Sequence, residues 1–156
     1  MKTTIKLDKD FLDFIELCNK YEVKYLIIGG YAVGFHGYPR TTKDLDICIE
    51  ISETNAKRLV VVIDEFGLKS LGLKEEDFLK DGFISQLGYD PNRIDIINGM
   101  DKMDFEEAWK EKQFIEIEGI PVNFVSLEHL IYLKRVAGRP QDLADLHTLL
   151  KRKKKR

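Results

Sequence analysis

Three aspartates and two glycines are the residues whose types and spacing could do chemistry in this chain. Asp44 and Asp46 flank Leu45, and Leu45, Ile47, Ile49 and Ile51 alternate with Asp44, Asp46, Cys48 and Glu50. A period of two reads as a strand. On a strand both acids point to one face, about 7 Å apart along the backbone, while Leu45 points to the other. Two like charges so placed repel unless solvent or a positive charge intervenes. A divalent cation removes the repulsion, and Mg²⁺ characteristically takes one or two carboxylates together with substrate phosphates. A third acid, Asp95, stands in Arg93-Ile94-Asp95-Ile96-Ile97, among β-branched residues that belong in a core. Burying that charge unpaired would be costly, and a direct pair with Arg93 is not expected. If this strand lies beside the first, all three acids converge. Three carboxylates holding a pair of metal ions suit in-line displacement at phosphorus.

Gly29-Gly30 follows the apolar run Tyr25-Leu26-Ile27-Ile28, where a strand should end and a short helix over 31–37 begin. Without side chains the backbone could approach a phosphate closely at a helix N-terminus. A tight strand-to-helix turn needs the same residues. The pair fits neither the dinucleotide-binding nor the P-loop glycine pattern.

The remaining elements must position these groups. Phe11, Phe14, Ile15 and Cys18 give one apolar face to a helix over 8–21. Ser52 is placed to cap a helix running to about Phe66, stopped by Gly67. A helical turn is expected at 75–80, and two strands, Phe83–Tyr89 and Arg93–Ile97, are joined by a turn at Asp90-Pro91-Asn92. A helix over Phe105–Glu111 precedes strands at Phe114–Ile117 and Val122–Val125 around Gly119. Ser126 opens a helix punctuated by Gly138, and Pro140 fits the first turn of a last one. This order predicts an α/β (α+β) domain with a mixed β-sheet flanked by helices and a helical C-terminus.

At 156 residues, with 44% hydrophobic and 33% charged, the chain suits one folded domain, residues 1–150, rather than a disordered segment. No apolar run approaches the ~20 residues that span a bilayer. Met1-Lys2-Thr3-Thr4 does not open a secretory signal, so a cytoplasmic protein without a membrane partner is expected. Cys18 and Cys48 read as buried free thiols. His36, His129 and His147 form no HExxH and no Cys/His cluster, and no zinc site is expected. The net charge of −2 hides six positive charges in 151–156, which leave −8 on the first 150 residues. That basic run reads either as a disordered, solvated tail or as an attraction for RNA or another polyanion.

The acids and glycines together resemble the nucleotidyltransferase superfamily. Its motif is a hydrophobic strand, Gly-Gly or Gly-Ser, a spacer, then acid-hydrophobic-acid-hydrophobic, with a third acid on a later strand. Here the chain reads Ile27-Ile28-Gly29-Gly30, Asp44-Leu45-Asp46-Ile47 and Ile94-Asp95-Ile96. Arg40-Thr41-Thr42-Lys43-Asp44-Leu45-Asp46 looks like the minimal, toxin-related branch of bacterial abortive-infection (AbiEii) and MenT-like proteins. Lys134, Arg139, Asp142 and Asp145 echo that branch's helical pattern. The resemblance implies a mixed-sheet core, a nucleoside triphosphate and two Mg²⁺ ions, with Mn²⁺ able to replace them. Asp44 and Asp46 would hold the metals. Asp95 would complete one metal site and help deprotonate an acceptor hydroxyl. Gly29 and Gly30 would grip phosphate through backbone N–H groups, Gly30 standing where many members have serine.

Two cations could bind the triphosphate. Arg40 could reach a phosphate or pair with Asp44 or Asp46. Lys134 could do the same or serve the negative end of its helix, with Asp142 and Asp145 as its or Arg139's partners. His36 reads as a loop or helix-face residue and Trp109 as a helix anchor. The expected activity is Mg²⁺-dependent transfer of a nucleoside monophosphate to a hydroxyl of RNA, such as a tRNA 3′ end, or of a protein. A cognate toxin or antitoxin partner would be consistent with this. Alternatives are transfer to a small molecule such as an antibiotic, disfavoured by the 59 residues after Ile97, and a nucleotide-binding antitoxin or regulatory module without turnover.

Overall fold

Tyr25–Ile28 (β1) is apolar at every position because it is the buried centre of a sheet, with a neighbour on each edge. The computed structural model describes residues 5–37, 42–89, 92–100 and 103–155. The other strands are Leu45–Ile49 (β2), Ile84–Leu87 (β3), Ile94–Asn98 (β4), Gln113–Ile117 (β5) and Ile120–Phe124 (β6). They form one six-stranded mixed sheet in the order β3-β4-β2-β1-β6-β5. β1 runs antiparallel to β2 and parallel to β6, and β2 runs parallel to β4. β3 and β5 close the two edges as antiparallel partners of β4 and β6.

The helices are Lys9–Lys20 (α1), Gly29–His36 (α2), Glu53–Glu65 (α3), Phe105–Lys110 (α4), Leu127–Ala137 (α5) and Pro140–Lys155 (α6). The apolar face expected of α1 is fully buried at Phe11, Phe14, Ile15 and Cys18, and α1 packs on α3 and β6. The Ser52 hydroxyl caps α3 by accepting from Asn55 N–H at 3.1 Å. Ser126 does the same for α5 through His129 N–H, also at 3.1 Å. Gly138, at φ +63°, ends α5, and Pro140 begins α6. Asn55 ties β1, β2 and α3 together: its side chain accepts from Lys24 N–H at 2.8 Å and donates to the carbonyls of Lys24 and Glu50.

Two expectations change. β2 is shorter than 44–51, because its partner β1 supplies only four residues, pairing Tyr25 with Ile49 and Ile28 with Asp46. The basic run expected as a disordered tail is instead helix through Lys155. Leu149 beside it is fully buried, Arg152 donates to the Gly37 carbonyl at 3.2 Å, and Lys153 pairs with Glu128 at 2.9 Å. Cationic side chains also suit the negative end of a helix. Among the described residues, no helix is long and apolar enough to cross a membrane.

Candidate functional site

Strand register builds the site. Asp46 pairs with Ile28 on one side and with Asp95 on the other. Neighbouring strands lie about 4.8 Å apart, so the two carboxylates stand abreast. Gly29 follows Ile28 directly, at φ +68°, and turns the chain into α2 over Asp46. A side chain on Gly29 would collide with Asp46 Oδ2, so the backbone can cross there only as glycine. Gly30 faces Thr42, whose Cγ2 would lie 2.8 Å from an added Cβ. Asp44, just before β2, completes the group.

Arg93 lies between Asp44 and Asp95, contrary to the expectation that it would not pair directly. Its Nε donates to Asp95 Oδ1 at 2.7 Å and its Nη2 to Asp95 Oδ2 at 3.1 Å. The same Nη2 is 3.4 Å from Asp44 Oδ2, and the Arg93 backbone N–H donates to Asp44 Oδ1 at 3.1 Å. The reason is parity: residues two apart on a strand share a face, and arginine is long enough to fold back over its neighbour. That parity was visible in Arg93-Ile94-Asp95.

Three carboxylates and one guanidinium leave the site short of positive charge. Burial pushes the Asp46 carboxyl up to about 7, and Asp95, through its charge and a hydrogen bond, and then Asp44 push the same way against Arg93. These groups fit a hard divalent cation: the donors are all carboxylate oxygens, the type Mg²⁺ and Mn²⁺ take. Arg93 already stands where positive charge is needed.

The helical residues meet this site from α5 and α6. A cavity of about 130 Å³ is lined by Gly29, Asp46, Met100, Lys134, Arg139 and Asp142 among others. Lys134 is only 8% exposed, and its Nζ lies 3.1 Å from both Asp142 Oδ1 and Asp145 Oδ2. It stands in the site wall already bound to two acids. Arg139, outside the expected set of binding residues, is an accessible cation: its side chain is 76% exposed while its Nε holds Asp142 at 2.6 Å. That bond, with help from Lys134, keeps the Asp142 carboxyl down at about 2. Arg40 lies outside the described residues. His36 lies on a helix face, as expected, on α2, and it is buried, its Nε2 2.7 Å from the Val125 carbonyl. Trp109 lies on α4, with the Lys112 ammonium 4.0 Å from its ring centre.

A separate group, Glu107 and Glu111 beside His129, brings three ligand-capable atoms within 4.8 Å. It shares no residue with the aspartates, its two glutamates are exposed, and His129 Nδ1 already faces Ser126 Oγ at 2.9 Å and Glu111 Oε2 at 3.3 Å. Sequence spacing did not reveal it because α4 and α5 are separated by a hairpin.

No protein-family model matches the chain, and no curated protein matches it significantly. Solved structures do. A candidate nucleotidyltransferase from Thermotoga maritima superposes with a TM-score of 0.62 at 16% identity, covering 95% of this chain and 97% of its own. An antigenic nucleotidyltransferase-like protein from Paracoccidioides brasiliensis gives 0.53 at 16% identity, over 93% of this chain and 78% of its own. ANT(2″)-Ia, solved in complex with adenylyl-2″-tobramycin, gives 0.53 at 16% identity, over 90% and 86%. The mixed sheet, its flanking helices and the helical C-terminus are therefore those of the nucleotidyltransferase fold.

Proposed function

We propose that the chain is a nucleotidyltransferase that moves a nucleoside monophosphate from a nucleoside triphosphate to a hydroxyl acceptor and releases pyrophosphate. The observation that carries this reading is the register pairing of Asp46 with Asp95 beneath the Gly29 turn, with Asp44 alongside. Asp44, Asp46 and Asp95 would hold Mg²⁺, or Mn²⁺ in its place. Bound there, the metal supplies charge neutralisation to the phosphates and lowers the pKa of the attacking hydroxyl.

The chain's own groups do the rest. Gly29 and Gly30 let the phosphates approach the backbone at the start of α2. Asp95 takes the proton of the acceptor hydroxyl as its oxygen bonds to the α-phosphorus and the bond to the β-phosphate oxygen breaks. Arg139, exposed beside the cavity, and Arg40 are the cations suited to the departing pyrophosphate. Lys134 stands behind Arg139, shared with Asp142 and Asp145.

The toxin-related branch and an RNA acceptor, such as a tRNA 3′ end, are the preferred assignment, with a protein hydroxyl next. The exposed lysines of α6 favour RNA, and a cognate protein partner would belong to the same system. Transfer to a small molecule is the second reading, favoured by the similarity to ANT(2″)-Ia. The test is calorimetric titration of each nucleoside triphosphate in Mg²⁺ with the wild type and with Asp44→Asn/Asp46→Asn. Binding that needs Mg²⁺ and collapses in the variant supports the reading, and labelled nucleotide then identifies the acceptor among cellular RNA, protein and aminoglycosides. Absence of binding at millimolar nucleotide overturns it.

A further inference from the structure

We infer that Arg93 is a resident counter-cation, which yields Asp44 and Asp95 to the incoming metal and passes its guanidinium to the nucleotide's phosphates. The inference rests on the metal-dependent reading above. Its basis is that all four oxygens of these two carboxylates face Arg93. Both Asp95 oxygens accept from the guanidinium, at 2.7 and 3.1 Å. Asp44 Oδ2 lies 3.4 Å from Nη2, and Asp44 Oδ1 accepts from the backbone N–H at 3.1 Å.

A Mg²⁺ ion must sit about 2.0–2.1 Å from its oxygens. Placed on Asp44 and Asp95, it would lie within a few ångströms of the guanidinium, where two cations repel strongly. One has to leave. The backbone cannot be what moves, because the Arg93 carbonyl accepts from Leu45 N–H at 3.0 Å and anchors the start of β4 against β2. The side chain can: it is 24% exposed, and the contacts it would give up are those with the two carboxylates. The backbone bond to Asp44 Oδ1 survives the exchange and keeps that carboxylate oriented.

The displaced fork does not go far. The nucleotide brings its phosphates to the same carboxylates through the metal, and a planar guanidinium matches phosphate oxygens bidentately. Arg93 therefore opposes metal binding when the metal comes alone and supports it when the metal comes with a nucleotide. This makes the two ligands positively coupled through one side chain.

The test is calorimetry on the whole chain with Arg93→Met and Arg93→Lys, using two probes: Mn²⁺ alone, and α,β-methylene-ATP in saturating Mn²⁺. Arg93→Met is expected to bind Mn²⁺ alone about tenfold more tightly, and the nucleotide analogue about tenfold more weakly, than wild type. Arg93→Lys, which keeps the charge and loses the fork, should shift both in the same directions by less, and it serves if the methionine variant does not fold. Unchanged or weaker Mn²⁺ binding in the variants, with wild type binding normally, overturns the exchange. Unchanged nucleotide affinity overturns the transfer to phosphate. If neither wild type nor variants bind Mn²⁺, the metal-dependent function itself fails.

Discussion

Asp46 on β2 and Asp95 on β4 are register partners on adjacent parallel strands, so two carboxylates lie abreast in a largely buried setting. The Asp46 carboxyl is raised from an ordinary 3.8 to about 7, first by burial and then by Asp95 and Asp44.

The sign of the effect on stability follows. Between pH 4 and 7 the folded chain keeps a proton on Asp46 that the unfolded chain has released. The stability contributed by that proton is complete below the unfolded value and lost as pH rises through about 7. Metal-free protein should therefore melt several degrees lower at pH 8 than at pH 5, and Asp46→Asn should flatten that difference. Asp142, held down at about 2, works the other way and in another window: its contribution is present above pH 3.8 and lost as pH falls through about 2. Thermal melts of wild type and Asp46→Asn in a chelator across pH 5–8 check this, because the difference between the two curves carries the Asp46 contribution and cancels that of the histidines. Wild-type and Asp46→Asn curves of the same pH dependence would contradict the assignment.

The two glycines should separate under substitution. Gly29→Ala places a side chain at φ +68° and into the Asp46 carboxylate. The strained backbone alone costs of order 1–3 kcal/mol. The displaced acid should also weaken Mn²⁺ binding. Gly30→Ala meets the Thr42 side chain first, 2.8 Å from the new Cβ, and a side chain can turn away. Its urea midpoint should stay close to wild type. Denaturation curves and Mn²⁺ titrations of both variants check this, and equal effects would mean that Asp46 does not set the turn.

Much of this was legible in the sequence, because the relevant periodicities are short. The alternation around Leu45 and Ile47 gives β2, the spacing of Phe11, Phe14, Ile15 and Cys18 gives α1, and Ser52 and Ser126 mark helix starts through their hydroxyls. The convergence of Asp44, Asp46 and Asp95 needed only that their strands be neighbours. What stayed hidden depended on three-dimensional neighbours. Whether Lys134 faces a ligand or two acids is decided by how α6 docks on α5. The run after Leu150 stays helical because Leu149 is buried and Arg152 finds the Gly37 carbonyl, 115 residues earlier in the chain.

The basic end of α6 has its own test. Lys151, Lys154 and Lys155 are exposed, whereas Lys153 is engaged with Glu128. If they contact RNA, replacing those three with glutamine should remove about two units from the slope of log affinity against log salt, since each single-strand phosphate contact contributes about 0.7. Filter binding of total tRNA at several salt concentrations measures the slope. An unchanged slope would remove the preference for RNA and leave a protein hydroxyl or a small molecule as the acceptor.

Lys134 and Arg139 divide support from contact. Lys134 is buried, with its ammonium 3.1 Å from Asp142 and from Asp145. Removing one member of such a group strands a buried charge, at a cost of about 3–5 kcal/mol. Lys134→Met should lower the urea midpoint accordingly, and Asp145→Asn by less, because Lys134 keeps Asp142 at 3.1 Å. The double variant should lose less than the two costs added, because the two groups act on each other. Arg139 holds the same buried Asp142 but keeps its own side chain 76% in solvent, and without it Asp142 still has Lys134 at 3.1 Å. Arg139→Gln should therefore cost less stability than Lys134→Met while binding α,β-methylene-ATP in Mn²⁺ several-fold more weakly. If instead Lys134→Met kept its stability and lost only the nucleotide, the ammonium would have to leave its two aspartates when the nucleotide binds. Lys134 would then be the phosphate contact and Arg139 the support.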